Sequence, residues 1–223
     1  MRGSGGQSEG RAIVARLGKT EAENRAVGDG GGSLLRQIKR EYVTYGKDWS
    51  RPGFRAVVVH RLGTWAEQLP IRTFTQRTVK RVLDRIYLFM NRFVRNHYGI
   101  ELNRSAHIGR DVIFAHQGGI VIHRYATIGD RCLIHQNVTI GNAGRGISES
   151  KAPVIGDDVE LGVGAVILGG VKIGDRVSIG ANVVVYTDLE PETTVVHGAP
   201  RIVDAPRTRQ GPSAVDAEGG RPA

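Results

Sequence analysis

The chain has 223 residues, one cysteine and a formal net charge of +9. That length holds one globular domain with appendages, and no apolar run in it is long enough to span a bilayer. It shows no zinc-finger spacing and no aromatic–basic interleaving of an RNA-binding sheet. The charge is therefore read as an arginine-rich solvated surface, and no nucleic-acid partner is expected. A lone thiol forms no intramolecular disulfide, and the N-terminus lacks the apolar core of a signal peptide, so a cytoplasmic protein is expected.

Residues 1–33 are rich in Gly and charge and lack a sustained apolar pattern, which predicts disorder. Residues 34–98 read as a helical N-terminal region. In PGFRAVVVHRLGTWAEQLP, Phe54, Val57, Val58, Leu62 and Trp65 recur at helical spacing, and Pro70 closes the run. In a second helix, Val79, Val82, Leu83, Ile86, Met90, Phe93 and Val94 make one face, with Arg77, Arg81, Arg85, Arg92 and Arg95 mostly elsewhere. Such a basic amphipathic helix, 77–97, has two readings. It packs its apolar side on the rest of the fold, or it makes a peripheral contact at the inner face of a membrane. The tail 204–223 is polar, carries Pro and Gly, and is expected to be disordered.

Between these regions, 99–203 carries a ladder. Ile155, Leu161, Ile167, Ile173, Ile179 and Val185 follow one another at six residues. A second, smaller apolar residue stands four places after each of the first five: Val159, Ala165, Val171, Val177 and Val183. Upstream, Ile128, Ile134 and Ile140 keep the step, and an earlier phase starts at Ile108 and Phe114. Two extra residues shift the register before Ile122. Neither a helix nor a single strand has a period of six. The pattern predicts a parallel β-helix of hexapeptide repeats, three short strands per coil, each coil burying its apolar faces on the next. Cys132, on an inward rung, reads as a small buried hydrophobe.

The chemistry is sought where the repeat breaks. His116 stands at the register shift, where packing does not require it, and a histidine there is suited to abstract a proton near neutral pH. Glu101 lies fifteen residues earlier, within about one coil, and a carboxylate on one ring nitrogen would fix the tautomer. On spacing alone, a surface histidine beside an unrelated glutamate fits equally well. His123 and His135 read as solvent-facing corner residues, or together with His116 as metal ligands if they converge. In the loop 141–153, Arg145 and Lys151 are candidates to hold an anionic substrate group, and an ordinary solvated loop is the alternative.

The blocks GIELNRSAHIG, AHQGGIVIH, QNVTIG and APVIGDDVELGVGAVILGGVKIGDRVSIGANVVV, with PGFRAVVVHRLGTW before them and HGAPRIV after, resemble serine O-acetyltransferases. They resemble still more the serine-acetyltransferase-like enzymes of polysaccharide biosynthesis. The resemblance implies a left-handed coil, a homotrimer, and acetyl-CoA bound between subunits as co-substrate, with no metal. It places His116 on the catalytic histidine and Glu101 on its acidic partner. It implies CoA contacts at Asn142, Val163 and Ala181; Arg201 is a candidate phosphate contact by its charge, in a motif one residue shorter than the family's. Ala115 stands where the serine enzymes carry Asp, and Lys151 and Ala152 where they carry Arg-His. The grip on an amino-acid zwitterion is thereby reduced. The expected activity is acetyl transfer to a sugar or glycan hydroxyl. L-serine is the alternative acceptor, and a metal-dependent hydratase or a non-catalytic trimeric scaffold is more remote.

Overall fold

A computed structural model describes residues 34–142, 144 and 152–198. Residues 1–33, Arg145, Lys151, Arg201 and the tail 204–223 lie outside the described residues.

Among the described residues, three helices come first: α1 (Leu34–Thr44), α2 (Pro52–Gln68) and α3 (Phe74–Phe93), followed by a π-helical turn at Val94–Tyr98. Pro52 starts α2, where its missing N–H costs nothing. Leu69, the residue before Pro70, ends α2 in an extended conformation, as the proline ring demands. Thr73 and Gln76 form a reciprocal capping box, so α3 begins before the apolar stripe read from the sequence. Gly99 closes the π-helical turn at φ 61° and turns the chain into the first strand.

Fourteen short strands then stack in parallel on three sheets. The first sheet holds β1 (Ile100–Leu102), β4 (Ile120–Ile122), β7 (Thr139–Gly141), β10 (Val166–Leu168) and β13 (Val184–Val185). The second holds β2 (His107–Ile108), β5 (Thr127–Ile128), β8 (Val154–Ile155) and β11 (Lys172–Ile173). The third holds β3 (Ile113–Phe114), β6 (Leu133–Ile134), β9 (Glu160–Leu161), β12 (Ser178–Ile179) and β14 (Thr194–Val195). This is the parallel β-helix expected from the six-residue period. The rungs Ile128, Ile134, Ile140, Leu161 and Ile167 are fully buried. Cys132 is buried too, and burial pushes its thiol up to about 12, so it remains a packed, unreactive thiol.

The register shift is real. Ile122 pairs with Ile140, eighteen residues on, whereas Leu102 pairs with Ile122, twenty residues on. The two extra residues fall at the corner 115–119.

The helices close one end of the coil. An open β-helix end leaves a row of unpaired backbone groups. Side chains from the helices take them up. The Tyr45 hydroxyl donates to Val112 O at 3.2 Å and accepts from Phe114 N at 2.9 Å. His60 Nε2 meets Ala106 O at 3.0 Å, and Arg61 donates to Ile108 O at 2.6 Å. Tyr87 Oη accepts from Arg104 N at 3.1 Å. Tyr45, Phe54, Val57, Tyr87 and Val94 join one core with the inner rungs. The packing expected of the second helix is only partly met. Tyr87 and Val94 are buried, but Val79, Val82, Ile86, Phe89 and Phe93 remain exposed along one stripe. No helix among the described residues is long and apolar enough to cross a membrane.

Candidate active site

One vertical edge of the prism, where the third sheet turns into the first, carries most of the expected site. Asn137 N bonds Gly118 O at 2.9 Å, Gly164 N bonds Gln136 O at 3.0 Å, and Asn182 N bonds Val163 O at 2.8 Å. The corners at Gly118, Gln136, Val163 and Ala181 are thus stacked in successive coils. His116 stands on the first of these corners, and Val163 and Ala181 on the last two.

The corner 115–119 is built to present His116. Gly118 and Gly119 have φ of 101° and 65°, two successive left-handed values that glycine takes at least cost. A Cβ on Gly119 would lie 2.2 Å from Asn137 Oδ1. The chain therefore bulges outward, and His116 is exposed rather than packed inside.

Glu101 points outward from β1, in the buried–exposed–buried pattern of that strand. It belongs to the same end of the coil as His116, because Gly118 N bonds Tyr98 O at 2.8 Å. Within the single chain, no hydrogen bond or ion pair joins the two side chains. Ala115 is half-buried beside His116, and Ala152 is buried. Asn142 follows β7 and lies at the turn from the first sheet to the second, a different edge from Val163 and Ala181.

The histidines divide. His116 and His135 are neighbours, with ring centroids 6.1 Å apart and planes at 35°. His123 follows β4 on another edge, beside Tyr125 with ring centroids 5.7 Å apart. The convergence of His116, His123 and His135 required of a metal site does not occur within the chain. Among the described residues, no group of three or more His, Cys, Asp or Glu is placed to hold a metal ion.

One contact escaped the sequence. His135 Nε2 lies 3.6 Å from Glu160 Oε1, an ion-pair distance longer than a hydrogen bond. The His135 ring holds the Glu160 carboxyl below the usual carboxylate range, against the opposing effect of burial. The two residues are twenty-five apart in sequence, with the loop between them. A signal was present: Ile134 and Leu161 occupy the same rung of the ladder, but only once the loop is excised.

Comparisons with known proteins bear on the fold and the family. Residues 152–187 match the family described as bacterial transferase hexapeptide (six repeats). A serine acetyltransferase from Synechococcus elongatus is 36% identical over 152 residues, 68% of this chain and 57% of the relative. The chain thus spans somewhat over half the length of that relative. A serine acetyltransferase from Helicobacter pylori is 36% identical over 145 residues, covering 65% of this chain and 77% of the relative. The solved soybean serine acetyltransferase complexed with serine superposes with a TM-score of 0.60 at 28% identity, covering 76% of this chain and 69% of that one. The fold, the repeat and the identity across most of the Helicobacter protein converge: the chain belongs to the serine acetyltransferase family.

Proposed function

We propose that this chain is an acetyl-CoA-dependent O-acetyltransferase with His116 as its general base and L-serine as its acceptor. The observation that carries the reading is the shared edge, which sets His116 in line with the backbone corners at Val163 and Ala181. His116 takes the proton of the acceptor hydroxyl. The oxygen attacks the thioester carbonyl, the C–S bond breaks, and the CoA thiolate takes the proton back from His116. Backbone N–H groups along the corners are rigid donors of the kind that hold a thioester chain in place. Glu101 keeps the role implied by the resemblance, partner of the base; Arg145 and Lys151, as loop cations toward the acceptor, and Arg201, as a phosphate contact, are assigned by their charge.

The relatives favour L-serine. A glycan acceptor is the second reading, and it rests on Ala115 and Ala152, which provide no polar group toward a zwitterion. Ala152 is moreover buried. A lipid-carried acceptor, and a membrane contact through the exposed stripe of α3, are consequences of that reading and fall with it. Thiol release from acetyl-CoA, followed with L-serine and with a panel of sugars and oligosaccharides, decides between them. L-serine is expected to give at least about tenfold higher kcat/KM than any sugar, the discrimination expected from one extra charge-assisted contact. A sugar that exceeds L-serine reverses the assignment.

Asn142 lies on a different edge from Val163 and Ala181, so a cofactor touching all three must bridge two copies. A homotrimer supplies such a groove three times over. Light scattering is expected to return three times the 24.2 kDa chain mass, and a monomer at micromolar concentration would exclude the shared groove.

A further inference from the structure

The third sheet places a second imidazole beside His116, in a column whose neighbouring positions above and below it are Ala115 and Gly162. Backbone bonds from Ala115 N to Ile134 O, from His135 N to Leu161 O and from Gly162 N to Ile179 O put Ala115, His135, Gly162 and Gly180 at equivalent positions of successive coils. His135 is the one titratable side chain in that column, which ends on Val196 beyond Gly180. Ala115 takes the equivalent position on the coil above, so no second long side chain stands directly over His135. His135 is only 20% exposed, and its Nε2 faces Glu160 Oε1 at 3.6 Å from β9. A carboxylate set against one ring nitrogen fixes the orientation of the ring and leaves the other for a ligand. Gln136, the next residue, holds its Oε1 buried without a hydrogen-bond partner, a polar group that native structures seldom leave unused.

The separation of the rings fits a bridging atom. At 6.1 Å between centroids, His116 and His135 neither stack nor bond directly. Two hydrogen bonds of about 2.9 Å, bent at a shared oxygen, span about 4.5–5 Å between their nitrogens. Nitrogens on rings at this separation can meet that span.

We propose that His135, oriented by Glu160, forms the acceptor-binding subsite of this enzyme, its ring and that of His116 bracketing the acceptor hydroxyl. The proposal rests on the O-acetyltransferase reading above and adds a residue pair to it. His116 takes the hydroxyl proton. His135 makes its hydrogen bond to the acceptor through Nδ1 and exchanges no proton with it. The oxygen forms the new bond to the acyl carbon, and the thiolate leaves with the proton from His116. Glu160 is a positioning residue, acting only through the ring of His135.

Steady-state kinetics of His135→Leu, His135→Asn and Glu160→Gln test it. Leu preserves bulk without a hydrogen bond, and Asn retains a polar group near the position of Nδ1. His135→Leu is expected to raise KM for the acceptor about tenfold, the loss of one hydrogen bond in a partly buried site. KM for acetyl-CoA is expected to stay within about twofold. His135→Asn recovers part of the loss, and Glu160→Gln shows a smaller rise of the same kind. An unchanged acceptor KM in His135→Leu overturns the proposal. So does a parallel rise in both KM values accompanied by a lower melting temperature, because that pattern belongs to damaged packing. If the wild type releases no thiol with any acceptor, the activity reading fails, and calorimetry of L-serine and the sugars against the wild type and His135→Leu still judges the subsite. Binding to the wild type that is lost in His135→Leu supports it. Equal binding to both, or binding to neither, overturns it.

Discussion

His116→Ala is expected to lower kcat/KM for acetyl transfer by about a thousandfold, within the range a positioned general base contributes. The argument is positional. Inward rungs of this coil are apolar and fixed by packing, but His116 sits on the corner that the two extra residues push outward. Gly118 and Gly119 hold that corner in left-handed backbone, and no larger side chain fits at Gly119. Because the ring is exposed, its removal leaves the core intact, and the melting temperature is expected to stay unchanged. The two measurements together separate chemistry from folding. Activity within tenfold of the wild type would remove His116 from its role. Glu101→Gln is expected to cost less. Glu101 shares the first coil with His116 but makes no hydrogen bond or ion pair to it within the chain, so its influence on the base is indirect.

Arg61→Met is expected to destabilise the fold by about 3–5 kcal/mol, the cost of leaving a buried charge without its partner. Glu41 is 2% exposed, and Arg61 donates to its Oε1 from Nη2 at 2.7 Å and from Nε at 3.1 Å. The same guanidinium donates to Ile108 O and Gly109 O on the first coil. Truncation therefore strands a carboxylate and two carbonyls at the joint between α1, α2 and the β-helix. Equilibrium urea unfolding measures the loss, and a change under about 1 kcal/mol would contradict it. The Arg61→Met/Glu41→Met double variant is expected to recover much of the stability, because apolar pairs of similar volume replace buried ion pairs well.

The same carboxylate gives a pH signature. Burial raises the Glu41 pKa above its ordinary value of 4.5, with Arg61 opposing the rise. One oxygen, Oε2, is buried without a partner, which is why desolvation prevails over a single guanidinium. A carboxyl with a raised folded pKa binds its proton more tightly folded than unfolded. Its contribution is fully present below 4.5 and is lost as pH rises through the folded value. The wild type should therefore lose stability relative to Glu41→Gln as pH is raised above 4.5. A stability difference that is flat with pH would refute the raised value.

Much of the architecture was legible because the period of six is local. Each rung of the ladder announces one strand, and every inward residue from Ile128 to Ile179 on that ladder is buried. The two-residue slip before Ile122 was equally legible, and it located the corner of His116. The family resemblance was confirmed at the level of serine acetyltransferases, whereas the special likeness to polysaccharide enzymes gained no support from the relatives found. The alternative reading of three converging histidines fails, because His123 leaves β4 on a different edge from His116 and His135.

The periodic sequence by itself determined the coil, the inward rungs and the place where the repeat opens. Only the tertiary structure decided which outward side chains meet. Partners across a coil lie sixteen, eighteen, twenty or twenty-seven residues apart, according to what each corner inserts. The inserted loop 141–153 hides that register from any local pattern. His135 and Glu160 therefore read as two unrelated polar residues until the stacked coils set them side by side, next to His116.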